Sequence, residues 1–247
     1  MARSGLSILL ILLVWQGAAL AVGGPTLPGP GTVAAALARE AASGQLFLHL
    51  GVTLARVAAA FVLALSIGTA TGIAMGRSPL VDGLLGPWLM LALNVPALVV
   101  IVLSYVWFGL TEAAAIGAVA VNKIPNVVVQ VRAGARCLDP ALTRMADAYG
   151  FGRADRLRHL LLPHLSPYLF AAARNGLSLV WKIVLVVELL GRGNGVGFKI
   201  HMAFQLFDVA TLLAYTLAFV AVAQMLELAL VAPLERRAGR WRGVAHG

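Results

Sequence analysis

Three ionisable side chains stand inside long apolar runs: Lys123, Lys182 and Glu188. On insertion scales a charge at the bilayer centre costs roughly 2.5–3.5 kcal/mol, so such groups face protein or water and mark ion or solute paths. Lys123 has Asn122, Pro125 and Asn126 beside it. It offers a cation to an anionic solute or, equally, to an internal carboxylate. Lys182 and Glu188 are six apart, so they do not share a helix face, and each needs a partner on another helix. Asn94 and Pro96 interrupt a further apolar run. A proline there frees a backbone carbonyl, and broken helices of this kind line transport paths or simply kink for packing. Asn94, Pro96, Asn122, Lys123, Asn126, Lys182 and Glu188 are therefore the candidate translocation residues.

No covalent chemistry is legible. The sequence contains no G-x-x-x-x-G-K-[ST] phosphate loop and no H-E-x-x-H, and its five histidines are scattered. Cys137 is the lone cysteine, which excludes a disulfide framework or a cysteine zinc site within one chain. The expectation is no catalytic residue, no metal and no cofactor on this chain.

The elements that position these residues follow from composition. The 247 residues are 60% hydrophobic and 12% charged, with mean hydropathy +0.90. Soluble domains are about a quarter charged, so this is an integral membrane protein. Apolar runs of about 20 residues predict six spans at about 5–23, 50–75, 85–108, 113–133, 166–190 and 209–233. The fold class is all-α and polytopic, because each span must satisfy its own backbone in lipid. The first run also reads as a signal peptide, with Arg3 before it and Ala19-Leu20-Ala21 as a cleavage site. Gly24–Gly31 is an external linker, and 32–42 reads as a short interfacial helix. Gly68, Gly72 and Gly76 place three small residues on one face for close helix approach, within the chain or between copies. Glycines at 191–197 suggest a flexible external loop.

The formal charge of +9 suits nucleic acid or a membrane surface, and its distribution decides. Arg3, Arg77, the arginines of 132–158, and Arg236, Arg237, Arg240 and Arg242 fall in alternate loops, while the others hold Arg39, Arg192 and Lys199. That positive-inside pattern puts both termini and residues 134–165 in the cytoplasm and excludes a nucleic-acid partner. The basic tail, 236–247, meets anionic lipid. Residues 1–45 form a first helix and linker, and 46–235 the membrane core.

One polar loop, Asp139 to Pro163, separates the apolar runs. Asp139-Pro140 reads as an N-cap followed by a first-turn proline. Leu142, Met145, Ala146 and Tyr149 share one face of the helix that follows, with Thr143, Arg144 and Asp147 on the other. Gly150 stops it. A second short stretch carries Leu157, Leu160 and Leu161, and Pro163 is expected to close it. So short a helix persists only when docked, which makes it a knob for a partner's groove.

Gly150, Leu160 and Leu162-Pro163 resemble the signature loop of the permease subunits of binding-protein-dependent ABC importers: Glu-Ala-Ala, three residues, Gly, nine residues, Ile-x-Leu-Pro. Ala146 takes the second alanine, Met145 the first, and Arg144 stands where the family has its acid. Val52 to Val57 resembles the opening of the family's membrane core. Trp107-Phe108-Gly109 and Trp181 with Glu188-Leu189 resemble the sulfonate, taurine and nitrate subgroup. The likeness spans roughly 46–235. It implies a type I importer permease of a bacterial cytoplasmic membrane, paired with a second permease copy, two ATP-binding subunits and an external solute-binding protein. ATP and Mg²⁺ would bind the partner ATPase. Asp139, Pro140, Leu142, Arg144, Met145, Ala146, Tyr149 and Gly150 would couple to it. The alternative is a self-sufficient secondary transporter or channel using Lys123, Lys182 and Glu188. A membrane-embedded enzyme has no acid, base or nucleophile cluster to support it.

Overall fold

The computed structural model describes residues 2–231, and every element among them is helical. In order these are α1 (Ala2–Val22), α2 (Pro30–Ala42), α3 (Gln45–Arg77), α4 (Pro79–Asn94), α5 (Ala97–Phe108), α6 (Glu112–Arg136) and α7 (Pro140–Ala148). Then come α8 (Arg153–Asp155), a π-helical stretch (Arg156–Leu161), α9 (Leu162–Gly191), α10 (Val196–Gln205), α11 (Val209–Leu226) and a second π-helical stretch (Glu227–Val231). Five helical segments are long and apolar enough to cross a membrane, and α4 with α5 make a sixth as a bent pair. Pro233 and the basic tail with Arg236, Arg237, Arg240 and Arg242 lie outside the described residues.

Two expectations need correcting, and one open choice is decided. Of the broken helix and the packing kink expected at Asn94–Pro96, the structure has the break, because α4 and α5 meet at 99°. Pro96 forces Val95 out of helical backbone, to φ −73° and ψ 125°. Pro163 does not close a helix. The chain stays helical from Arg153 to Gly191, with the wide turn Arg156–Leu161 immediately before the proline. A π-helical turn inside an α-helix is rare and marks a local irregularity in the hydrogen-bond ladder. Finally, the expected external loop is short, since α10 begins at Val196.

The chain divides into two compact units. Among the described residues one holds 2–55 with Leu185–Met225, and the other holds Arg56–Val184 with 226–231. In the first, Val33 and Ala36 of α2 bury against Ala214 of α11, with Trp15 of α1 packed beside them. The Trp15 indole N–H donates to the Pro28 carbonyl at 3.1 Å, which pins the linker. Asp208 caps α11 by accepting from the Thr211 N–H at 3.0 Å.

In the second unit the glycine face of α3 packs within the chain. A β-carbon at Gly68 would lie 2.6 Å from Val127, one at Gly72 2.8 Å from Val131, and one at Gly76 2.5 Å from Ala135. Only glycine lets α3 and α6 approach this closely. Val127, Val131 and Ala135 continue into a core with Leu138, Leu161, Leu165 and Ala172. Asp82 in the first turn of α4 accepts from Arg132 at 2.8 Å and pairs with Arg136, which ties α4 to the end of α6.

Candidate coupling and translocation residues

The knob forms as expected from its caps. The Asp139 carboxylate accepts from the Ala141 N–H at 2.8 Å, and Pro140 opens the helix. At the other end Phe151 N–H donates to the Ala146 carbonyl at 2.9 Å and Gly150 N–H to that of Asp147 at 3.1 Å. Those two bonds need the residue between them in left-handed backbone, and Gly150 has φ +64°. The Arg156 guanidinium fastens the knob by donating to Asp147 at 2.5 Å and to the Phe151 carbonyl at 3.0 Å.

The apolar face of α7 is divided. Ala146 is fully buried in this chain, whereas Leu142, Met145 and Tyr149 are 38%, 43% and 76% exposed. Arg144 is also exposed. Two large side chains on this nine-residue helix and the Tyr149 ring at its C-cap are thus left uncovered by the chain itself.

At the α4–α5 break the Asn94 side-chain amide donates to the Met90 carbonyl at 2.7 Å. This bond goes to the carbonyl four residues back within α4, whereas the carbonyl that Pro96 leaves without its helical donor is that of Ala92. Asn94 and Pro96 are exposed on the single chain, and Asn122 and Asn126 are half-buried.

Lys123 and Glu188 are sheltered, with 2% and 0% exposure. Lys182 is exposed on the single chain, so burial within this chain accounts for the shelter of Lys123 and Glu188 alone. Lys123 runs over Gly176 of α9, where an added β-carbon would come within 3.1 Å of its Cε and 3.4 Å of Phe61. No carboxylate among the described residues forms an ion pair with Lys123, so the internal ion pair is not what buries it.

Glu188 is the centre of a polar knot in the first unit. The Thr53 hydroxyl lies 2.9 Å from both its carboxylate oxygens. The Gly197 N–H donates to it at 2.9 Å. Thr53 in turn accepts from the Val196 N–H at 2.8 Å. His49 Nδ1 accepts from the Gly195 N–H at 2.9 Å, so that nitrogen carries no proton. Nearby, Tyr215 donates to Glu40 at 2.6 Å and Lys199 pairs with the same carboxylate at 3.5 Å. These bonds fix the 192–195 turn and the start of α10. They make Glu188 an anchor for backbone, a role its isolation in an apolar run did not disclose.

Sequence reasoning also passed over His49 and Arg56 as site residues. Arg56 is 4% exposed and forks onto Glu112, with Nε at 2.8 Å and Nη2 at 2.6 Å. The signal was present, because His49, Thr53 and Arg56 recur at i, i+4 and i+7 along one face of an apolar helix.

Residues 64–234 match the family described as binding-protein-dependent transport system inner membrane component. The chain belongs to this family. The permease is 32% identical over 198 residues to the taurine transport system permease protein TauC of Escherichia coli (strain K12), covering 80% of this chain and 72% of that one. With the putative aliphatic sulfonates transport permease protein SsuC of Bacillus subtilis (strain 168) it shares 30% identity over 239 residues, 96% and 86% of the two chains. The nitrate import permease protein NrtB of Leptolyngbya laminosa is 28% identical over 159 residues, 64% and 57% of the chains. In fold the permease is similar to the MetNI methionine ABC transporter in an inward-facing conformation, with TM-score 0.64 at 17% identity, covering 75% of this chain and 92% of that one. The type I importer fold expected from the signature loop is borne out, and so is the sulfonate, taurine and nitrate subgroup expected from Trp107-Phe108-Gly109 and Trp181 with Glu188-Leu189.

Proposed function

We propose that this permease is the membrane subunit of an ATP-driven importer for a small organic or inorganic anion of the sulfonate, taurine or nitrate kind. The observation that carries the reading is the uncovered face of α7, where Leu142, Met145 and Tyr149 project from a capped helix in the family's signature loop. In this reading the face seats in a groove of a separate ATP-binding subunit, which holds ATP and Mg²⁺. Two copies of the chain, two such subunits and an external solute-binding protein complete the assembly. Closure of the ATPase pair moves α7, and the helices pass from inward- to outward-facing. Similarity to TauC and SsuC supports the substrate class. Both termini and residues 134–165 are cytoplasmic in this arrangement, in keeping with the arginine asymmetry.

Arg144 sets the character of the partner. A cation in place of the family's acid calls for an acidic or neutral contact on the ATPase. The test is uptake by vesicles holding the permease, its ATP-binding subunit and binding protein. Accumulation of labelled taurine, an alkanesulfonate or nitrate should require ATP, and Arg144→Glu should weaken ATPase retention. ATP-independent uptake by the permease alone would overturn the reading in favour of a secondary transporter. Cysteine at position 154, in a Cys137→Ser background, should be labelled from the cytoplasmic side only.

A further inference from the structure

Behind α7 lies a pocket of about 320 Å³ in the second unit, lined by Arg77, Thr143, Arg156, Leu157, Leu160 and Leu161 among others. Leu142, Met145 and Tyr149 do not line it, so it is separate from the face given to the ATPase. Its wall is the π-helical stretch Arg156–Leu161, a rare geometry that recurs at functional sites. The three leucines make that wall apolar. Arg156 is held in place by Asp147 and the Phe151 carbonyl. Arg77, the last residue of α3, is exposed and makes no ion pair or hydrogen bond with the described residues.

Two guanidinium groups and a hydroxyl beside three leucines match an anionic head joined to an apolar chain. The position agrees. Arg77 ends the 33-residue segment Gln45–Arg77 and Arg156–Leu161 opens the 36-residue segment Arg156–Gly191, each longer than the roughly 20 residues that cross the hydrocarbon, so the pocket stands on the cytoplasmic side of the bilayer, where these helices emerge past the headgroups. On that side a phospholipid presents its phosphate above its acyl chains, and basic pockets between spans there hold anionic headgroups. A water-soluble anion has no use for the leucine wall. An uncharged lipid has none for Arg77.

We infer that this pocket binds one anionic phospholipid, its phosphate on Arg77, Arg156 and Thr143 and an acyl chain along Leu157, Leu160 and Leu161. The lipid would brace α7, through Thr143, against the end of α3. The inference stands on the pocket alone and does not depend on the ATPase or the substrate.

The experiment is native mass spectrometry of the full-length chain released from detergent micelles with added phosphatidylglycerol, phosphatidylcholine or glycerol phosphate. The wild type should retain one phosphatidylglycerol in preference to phosphatidylcholine. Arg77→Gln should reduce that preference roughly fivefold, the worth of one arginine facing an anionic headgroup. Leu157 is 44% exposed, so Leu157→Asp leaves the core intact, sets an acid in the pocket and should abolish retention. Arg39→Gln, in the other unit, should behave as wild type. Equal retention of the two lipids would overturn the proposal, as would wild-type retention by Leu157→Asp. Glycerol phosphate held as tightly as phosphatidylglycerol would replace the lipid by a soluble phosphate and overturn it too.

Discussion

Replacing Thr53 by valine keeps the shape of the side chain and removes one hydroxyl from the Glu188 knot. The hydroxyl does two things there. It donates to a fully buried carboxylate at 2.9 Å and accepts the Val196 N–H at 2.8 Å. A hydrogen bond to a charged group is worth about 1.5–3 kcal/mol, and a buried N–H left without an acceptor costs about 1–3 kcal/mol. Their sum puts Thr53→Val at roughly 2.5–6 kcal/mol, against a small gain from the apolar valine methyl. Thr53→Ser keeps both bonds and loses one methyl, about 0.8 kcal/mol. The valine variant should therefore unfold well below the serine variant in a detergent melt. Hydrogen exchange gives the local signature: the amides of Val196 and Gly197 should lose protection in the valine variant and keep it in the serine one. Equal melting of the two variants, or unchanged protection at Val196, would refute the claim that this hydroxyl holds the start of α10.

Gly150→Val places a β-branched side chain at φ +64°, which costs on the order of 1–2 kcal/mol. It should open the end of α7 and reduce ATPase retention while membrane insertion is unchanged; retention equal to wild type would mean that this turn does not position the coupling face. Gly72→Ala would set a β-carbon 2.8 Å from Val131, whereas Gly51 has nothing within 4 Å. The first should cost about 1–3 kcal/mol and Gly51→Ala should be neutral or stabilising by up to about 1 kcal/mol, a contrast read directly from two melting curves. The Asp208 carboxyl is held below the ordinary carboxylate range, chiefly by the Thr211 N–H, with Arg39 and the Ala210 N–H adding to it against desolvation. A depressed carboxylate gives stability that is present above its unfolded pKa and lost as pH falls through the folded one. Melting temperature should thus drop on acidification below the ordinary carboxylate range, and Asp208→Ala should lower stability by about 1 kcal/mol near neutral pH and flatten that drop; an unchanged acid profile would show that the cap carries none of it.

The sequence by itself determined the class of the protein, the number and approximate place of its spans, and the caps of α7. These are local properties. A run of about 20 apolar residues suffices for a span, and Asp139-Pro140 and Gly150 act through their own backbone. The meaning of Gly68, Gly72 and Gly76 was half-legible: the spacing required a close neighbour, and only the tertiary structure named it as α6. The α4–α5 break was signalled by Pro96, but its angle depends on what α4 and α5 pack against. Glu188 and Lys123 were the least legible, because burial and partners lie far away in the chain. Thr53 is 135 positions from Glu188, and a sequence read in order offers no reason to join them. Tertiary structure alone decided that Glu188 anchors backbone, that Lys123 is buried over Gly176 without an ion pair among the described residues, and that Lys182 is exposed on the single chain. The same holds for α7, whose apolar pattern was plain in the sequence. That Ala146 is covered by this chain while Leu142, Met145 and Tyr149 are left exposed is a matter of tertiary packing, as is the ion pair from Arg156 to Asp147, nine positions apart, which periodicity does not encode.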